Sequence, residues 1–139
     1  MYEQEMVEKV YNHLKDEGKS VVLEVPFMQQ SIDLVYEDGE KLVAIEFKLK
    51  NWKRALEQAN SHFLGTDEVY ICIPKPKKGT TQVLLDAIQK THIGLMFYDE
   101  TYESFVEVIK PACYEKEIWQ VGSMWLKEAF NNRLQGIWA

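Results

Sequence analysis

The amino-acid sequence predicts a protein of the α/β (α+β) class, with a mixed β-sheet flanked by helices. Three observations carry this prediction. An amphipathic helix comes first, two alternating apolar segments joined by a turn sequence follow, and a second helix leads to a strand that is apolar almost throughout. A helix between two strands is typical of a right-handed crossover between parallel neighbours.

The first helix is predicted over 2–16, where apolar side chains recur at spacings of three and four residues. A β-branched segment at 20–27 predicts the first strand. The remaining segments are expected at 31–36 and 41–49 (strands), 51–64 (helix, capped by Asn51), 68–74 (strand), 81–91 (helix), 93–99 and 104–110 (strands) and 114–138 (helix). We expect one domain over 1–139, with its core at about 1–110 and a C-terminal helical extension at about 114–139.

The turn sequence EDGE sets the register of the second and third strands. The pair Asp38-Gly39 favours a two-residue type I′ turn, which places Ile32 opposite Ile45 on an apolar face. In the same register Asp33 is the diagonal neighbour of Glu46 on the opposite face, about 7–8 Å away between backbones. Two carboxylates at that separation can converge on one Mg²⁺ ion.

Length and composition predict an ordinary globular protein. The chain has 139 residues, of which 46% are hydrophobic and 27% charged. No apolar run reaches the roughly 18 residues that a membrane span requires, and the acidic, amphipathic start is unlike a signal peptide. We therefore expect no membrane association and a cytoplasmic location. The two cysteines are far apart and indicate neither a zinc site nor a disulfide framework.

A net charge of −6 argues against a protein that coats nucleic acid by charge alone. Any contact with nucleic acid must then be local. The basic residues that cluster in the sequence are Lys48, Lys50, Lys53 and Arg54, and then Lys75, Lys77 and Lys78. A solvated surface is the simpler interpretation of a lysine-rich loop taken by itself.

Asp33, twelve intervening residues and then Glu46-Phe47-Lys48 resemble the pattern of the PD-(D/E)XK nuclease superfamily. The αβββαβ order predicted over roughly 3–74 is the core order of its restriction endonuclease-like fold. The resemblance implies that Asp33, Glu46 and the backbone carbonyl of Phe47 bind Mg²⁺, for which Mn²⁺ can substitute. It also implies that Lys48 orients or activates the attacking water.

Three further residues enter through the resemblance. Glu3 is the candidate for an acid that the first helix often supplies, although its charge also suits a helix N-terminus. Glu24, on the adjacent strand, is a second candidate acid. Gln58 matches the glutamine of the Gln-x-x-x-Tyr motif found in some relatives, whereas His62 replaces the tyrosine.

The expected function is Mg²⁺-dependent hydrolysis of phosphodiester bonds in DNA, with the basic residues listed above holding the phosphate backbone. A homodimer is expected, because two sites related by two-fold symmetry can cut both strands. The alternative is a catalytically silent module of the same fold that binds nucleic acid or a protein partner, and a partner could also supply targeting. A third interpretation is an interaction domain with an aromatic assembly surface formed by Trp119, Trp125, Phe130 and Trp138.

Overall fold

The computed structural model describes residues 2–62, 65–76, 82–111 and 120–136, with four helices and six strands in these ranges. In chain order they are α1 (Glu3–Asp16), β1 (Val21–Phe27), β2 (Gln30–Asp38), β3 (Lys41–Phe47), α2 (Trp52–His62), β4 (Glu68–Pro74), α3 (Gln82–Gln89), β5 (Gly94–Asp99), β6 (Ser104–Ile109) and α4 (Gln120–Leu134). The predicted mixed sheet with flanking helices is confirmed.

All six strands form one sheet, in the spatial order β1 to β6. β3, β4 and β5 run parallel to one another, and the other neighbouring pairs are antiparallel. Helices α2 and α3 make the two crossovers that parallel neighbours require. The carboxyl ends of β3, β4 and β5 therefore lie along one margin of the sheet, which we call the carboxyl edge.

Buried apolar side chains cover both faces of the sheet. One face is covered by α1, which contributes Met6, Val7, Val10 and Leu14 to a cluster with Leu34, Val43, Ile45, Phe47 and Cys72. The opposite face is covered by three helices, which contribute Ala55 and Ala59 from α2, Leu84 and Ile88 from α3, and Leu126 and Phe130 from α4. The sheet is thus the central layer between two helical layers.

Helix α4 belongs to the second core cluster, where Phe130 is 1% exposed. Trp125, on the same helix, is 53% exposed. Of the aromatic residues proposed as an assembly surface, Phe130 is therefore a core residue, while Trp119 and Trp138 lie outside the described residues. No helix in the described part of the chain is long and apolar enough to cross a membrane.

The predicted register of the β2–β3 hairpin is wrong by two residues. Asp38 pairs with Lys41 and Leu34 with Ile45, so that Gly39 and Glu40 form the turn. Gly39 has a φ of +65°, as the first central position of a type II′ turn requires, whereas the predicted type I′ turn needs a positive φ at Asp38 as well. A shift of two residues leaves each side chain of the paired segment on its predicted face.

Candidate active site

Asp33 and Glu46 lie together at the end of the regular pairing between β2 and β3. The Asp33 backbone N–H donates a hydrogen bond to Glu46 Oε1 at 3.3 Å. In return, the Phe47 backbone N–H donates to Asp33 Oδ2 at 2.9 Å. The two residues are therefore opposite each other, not diagonal as predicted, and we call them the carboxylate pair.

A distortion of β1 and β2 positions Asp33. Leu23 pairs with Leu34 and Val25 with Ile32, which leaves Glu24 facing Asp33 between them. Glu24 has a φ of +51°, in the left-handed region that non-glycine residues rarely adopt. We call this feature the Glu24 kink.

The kink changes the face on which the strand places its side chains. Leu34 packs in the cluster under α1, whereas Ile32 packs in the cluster on the opposite face. In a regular strand these two side chains would share a face, and regular alternation was the prediction for this segment. The kink releases Asp33 from the ladder with β3, and its N–H is free to bond the Glu46 side chain instead.

Desolvation and the neighbouring charge of Glu46 favour the protonated form of Asp33. Glu46 is 2% exposed. Desolvation of Asp33, followed by the charge of Glu46, raises the pKa of Asp33 to about 7, and the charge of Glu3 adds to the increase. The hydrogen bond from Phe47 N–H acts in the opposite direction, because it favours the ionised form.

Glu3 therefore lies close enough to Asp33 for its charge to raise the pKa of Asp33, and its role as a site acid stays a prediction. It is half-buried at the first residue of α1. Glu24, the second candidate acid, is exposed at the kink. Its structural contribution is the backbone conformation opposite Asp33.

Lys48 follows the carboxylate pair directly at the carboxyl edge. β3 ends at Phe47, two residues earlier than predicted, but the Lys48 backbone N–H still donates to the Cys72 carbonyl at 3.2 Å. The buried Phe47 side chain anchors this point in the cluster under α1. Alternation along the strand places Lys48 on the same face as Glu46. Lys48 is half-buried, and its side chain forms no ion pair with another described residue.

Helix α2 covers the face of the sheet that carries Glu46. The predicted Asn51 cap is confirmed, since Asn51 Oδ1 accepts a hydrogen bond from the Arg54 N–H at 3.4 Å. Gln58 is half-buried, and its Oε1 is fully buried without a hydrogen-bond partner among the described residues. A buried, unsatisfied amide oxygen is costly, which is typical of a group that serves a site. The side chain of His62 lies outside the described residues.

The predicted nucleic-acid-binding residues divide into two groups. Lys50, Lys53 and Arg54 are exposed next to Lys48, and Lys53 Nζ lies 5.8 Å from the centroid of the Trp52 ring. Lys75 follows β4 at the carboxyl edge, where its Nζ lies 3.9 Å from Asp99 Oδ2. Lys77 and Lys78 lie outside the described residues.

The donor atoms at the carboxylate pair fit Mg²⁺ or Mn²⁺ better than zinc. Mg²⁺ is commonly held by one or two carboxylates and keeps several waters, whereas zinc sites use His and Cys. In the described ranges, no group of three or more His, Cys, Asp or Glu side chains is placed to hold a metal. The resemblance implies that Asp33, Glu46 and the Phe47 carbonyl would be the protein ligands of a metal here, with water completing its coordination.

Two features of the site could not be predicted from residue type or spacing. The Phe47 N–H is a backbone group, which any residue could supply at that position. Glu24 adopts a left-handed conformation without being glycine, asparagine or aspartate. Neither feature leaves a mark in residue type or spacing.

No protein-family model and no curated protein matches the chain. Two solved structures are similar to it. A protein of unknown function from Silicibacter pomeroyi has a TM-score of 0.68 at 16% identity, over 98% of this chain and 88% of that one. An FdxN element excision controlling factor protein from Anabaena variabilis has a TM-score of 0.58 at 19% identity, over 77% of this chain and 99% of that one.

Structural similarity at 16% and 19% sequence identity shows a shared fold only. The first structure matches nearly the whole of both chains, and the second lies almost entirely within the fold described above. The chain therefore has the fold of these two proteins, a six-stranded mixed sheet flanked by helices.

Proposed function

We propose that this protein is a Mg²⁺-dependent nuclease of the PD-(D/E)XK superfamily that hydrolyses phosphodiester bonds in DNA. The observation that supports it best is the carboxylate pair, in which Asp33 and Glu46 share hydrogen bonds at the carboxyl edge with Lys48 beside them. The resemblance predicted these three residues for one site. Mn²⁺ is expected to replace Mg²⁺.

Each residue has a role in this proposal. Asp33, Glu46 and the Phe47 carbonyl would hold the metal, which when bound polarises a phosphate oxygen and lowers the pKa of water. Lys48 orients the attacking water and offsets negative charge as it develops on the phosphate. Glu3 adds negative charge near Asp33, and Gln58 offers a buried amide oxygen on the face that carries Glu46. Lys50, Lys53 and Arg54 bind the phosphates on either side.

The test is cleavage of supercoiled, linear, single-stranded and branched DNA with Mg²⁺ or Mn²⁺. Wild type should cut at least one substrate, and Asp33→Asn and Lys48→Ala should reduce the rate by at least about 100-fold. Asp86→Asn and Lys90→Ala make the same charge changes at exposed positions of α3 and after it, and they should cut at the wild-type rate. Equal rates for Asp33→Asn and wild type would refute the nuclease proposal.

A second candidate function is a module of the same fold that binds nucleic acid or a protein partner without cleaving. The observation that favours it is that no group of three or more acidic, His or Cys side chains in the described part of the chain could hold a metal. This candidate predicts salt-sensitive or partner-dependent binding without turnover. Metal-dependent cleavage that Asp33→Asn removes would exclude it.

A further inference from the structure

A cavity of about 420 Å³ opens at the carboxyl edge, beyond the ends of β4 and β5. It is lined by Pro74, Lys75, Pro76, Tyr98, Asp99 and Thr101, together with Glu100 at the exposed end of β5. We call it the edge pocket. Its volume is in the range of about 300–1,000 Å³ that holds small ligands. Ligands of sheets with parallel strands bind preferentially outside the carboxyl ends of those strands.

The edge pocket lies on the same margin of the sheet as the carboxylate pair. β4 is the neighbour of β3, and β5 is the next strand. Neighbouring strands are about 4.8 Å apart, so that β5 lies about 10 Å from β3. This distance corresponds to about three base steps of B-DNA at 3.4 Å each. A strand of nucleic acid with a phosphate at the carboxylate pair therefore reaches the edge pocket with a nearby nucleotide.

The polar groups of the edge pocket carry both signs of charge. Asp99 is held in place, because its Oδ1 accepts a hydrogen bond from the Thr101 N–H at 2.9 Å and its side chain is only 22% exposed. Lys75 is 62% exposed, and its Nζ is 3.9 Å from Asp99 Oδ2, beyond hydrogen-bonding distance. Asp99 is thus a fixed acceptor, while Lys75 is an exposed cation at the rim.

The presence of both charge signs in the edge pocket argues against a free phosphate or a free divalent cation as its ligand. A free phosphate would meet the carboxylates of Asp99 and Glu100, and a divalent cation would meet Lys75. A nucleotide satisfies both groups when its base carries an exocyclic amino group. The amino group donates to the Asp99 carboxylate, and the phosphate lies near Lys75. Carboxylates accept from cytosine N4 in this way in known modes of base recognition.

We propose that the edge pocket binds a nucleotide close to the scissile phosphate and, through Asp99, selects a base that carries an exocyclic amino group, with cytosine against thymine as the tested pair. The inference rests on the proposed action on nucleic acid, and it adds a base preference to a site that otherwise contacts phosphates. Lys75 supplies affinity without sequence preference, because every nucleotide carries the phosphate.

The test measures the binding of fluorescein-labelled oligo-dC and oligo-dT of equal length by anisotropy, with Ca²⁺ in place of Mg²⁺. Wild type should bind oligo-dC about 5- to 100-fold more tightly than oligo-dT. Asp99→Asn should bring this ratio to within about 2-fold of one, since the amide offers the base one acceptor fewer. The variant should still fold, because the oxygen of the new amide can accept the hydrogen bond from the Thr101 N–H.

Two further variants separate preference from affinity. Lys75→Ala should weaken the binding of both oligonucleotides by similar factors and keep their ratio. Asp86→Asn, which makes the same charge change on α3, should keep both affinities and the ratio. Equal binding of oligo-dC and oligo-dT by wild type, an unchanged ratio in Asp99→Asn, or no binding of either oligonucleotide would overturn the inference.

The outcome is independent of the cleavage test. Cleavage by wild type without a cytosine preference would reject the edge pocket as a base-selecting site and leave the nuclease proposal standing. A cytosine preference that Asp99→Asn removes, in a protein that does not cleave, would reject the nuclease proposal and support the binding module.

Discussion

At the scale of single residues, Asp33 combines a structural cost with a proposed functional role. Its half-buried carboxyl lies beside the buried Glu46, and its pKa of about 7 lies well above the ordinary 3.8. The folded protein therefore holds a proton there between about pH 4 and pH 7 that the unfolded chain releases. Stability contributed by this proton is present below pH 4 and is lost as the pH rises through 7.

Asp33→Asn should therefore stabilise the protein at alkaline pH. The amide can accept from the Phe47 N–H and donate to Glu46, and it needs no proton to do so. Each pH unit over which only the folded state holds the proton is worth about 1.4 kcal/mol, so we expect a gain on the order of 2 kcal/mol at pH 8 and little gain at pH 4. Thermal denaturation in EDTA as a function of pH measures this difference.

The matched control for this measurement is Asp86→Asn, because Asp86 is exposed on α3. Its effect on Tm should be small and should not change between pH 4 and pH 8. A wild type that is more stable than Asp33→Asn at pH 8 would contradict the repulsion inferred for the carboxylate pair. Together with the loss of cleavage expected for the same variant, a gain in stability would identify Asp33 as a residue kept for function.

At the scale of elements, the Glu24 kink converts an ordinary strand pair into a support for Asp33. A left-handed conformation costs a non-glycine residue roughly 1–2 kcal/mol. This cost is offset elsewhere in the fold, since Val25 and Ile32 beside the kink are fully buried. Strained backbone that the surrounding packing maintains is common at functional sites.

Glycine and valine at position 24 should have opposite effects on the stability of the protein. Glu24→Gly should stabilise the protein by about 1 kcal/mol and retain cleavage, because glycine adopts a positive φ without strain. Glu24→Val should destabilise it by about 2 kcal/mol and reduce Mn²⁺ binding several-fold, because a β-branched residue disfavours the kink and displaces Asp33. Urea denaturation and Mn²⁺ titration measure the two effects separately.

Met28 provides the control at the element scale. It also has a positive φ, of +50°, but it lies in the turn between β1 and β2. Met28→Val should lose stability as Glu24→Val does, while its Mn²⁺ affinity stays at the wild-type value. If both valine variants bound Mn²⁺ equally well, the kink would be a strained turn of the chain with no role at the carboxylate pair.

At the scale of the whole molecule, charge is distributed unequally. The sequence has 16 basic and 22 acidic residues, hence the net charge of −6, yet Lys50, Lys53 and Arg54 are exposed together beside Lys48. The proposed function therefore predicts that nucleic acid is attracted at these basic residues and is opposed by the net negative charge elsewhere. This distribution favours binding that is local and strongly dependent on salt.

Lys50→Ala should remove one phosphate contact and thereby reduce the salt dependence of nucleic-acid binding. In a plot of the logarithm of affinity against the logarithm of salt concentration, the magnitude of the slope should fall by about 0.7–0.9. Lys90→Ala, on the exposed turn after α3, should leave the slope unchanged. Anisotropy titrations at several salt concentrations give both slopes, and an equal decrease for the two variants would place the nucleic acid elsewhere.

The fold class and the order of the helices and strands could be predicted from periodicity, because buried strands and amphipathic helices repeat their apolar residues at fixed spacings. The approach of Asp33 to Glu46 could be predicted only in part. The Asp38-Gly39 pair predicted the right hairpin with the wrong turn. A shift of two residues preserved the faces of the paired segment, whereas the Glu24 kink places Ile32 on the face opposite to Ile45. The turn at Met28 and Gln29 contains neither glycine nor asparagine, yet both residues have a positive φ. Such positions follow from packing, which the local sequence does not encode.

Chemical labelling of the buried Cys72 thiol can measure local opening of the structure near the site. Cys72 pairs with Phe47 in the middle of the sheet and is inaccessible to solvent, and burial raises the pKa of its thiol. Its side chain lies in the cluster under α1, so that a thiol reagent can reach it only when that cluster opens. In a protein with Cys113 replaced by serine, the labelling rate of Cys72 measures how often α1 separates from the strand that holds Glu46 and leads to Lys48.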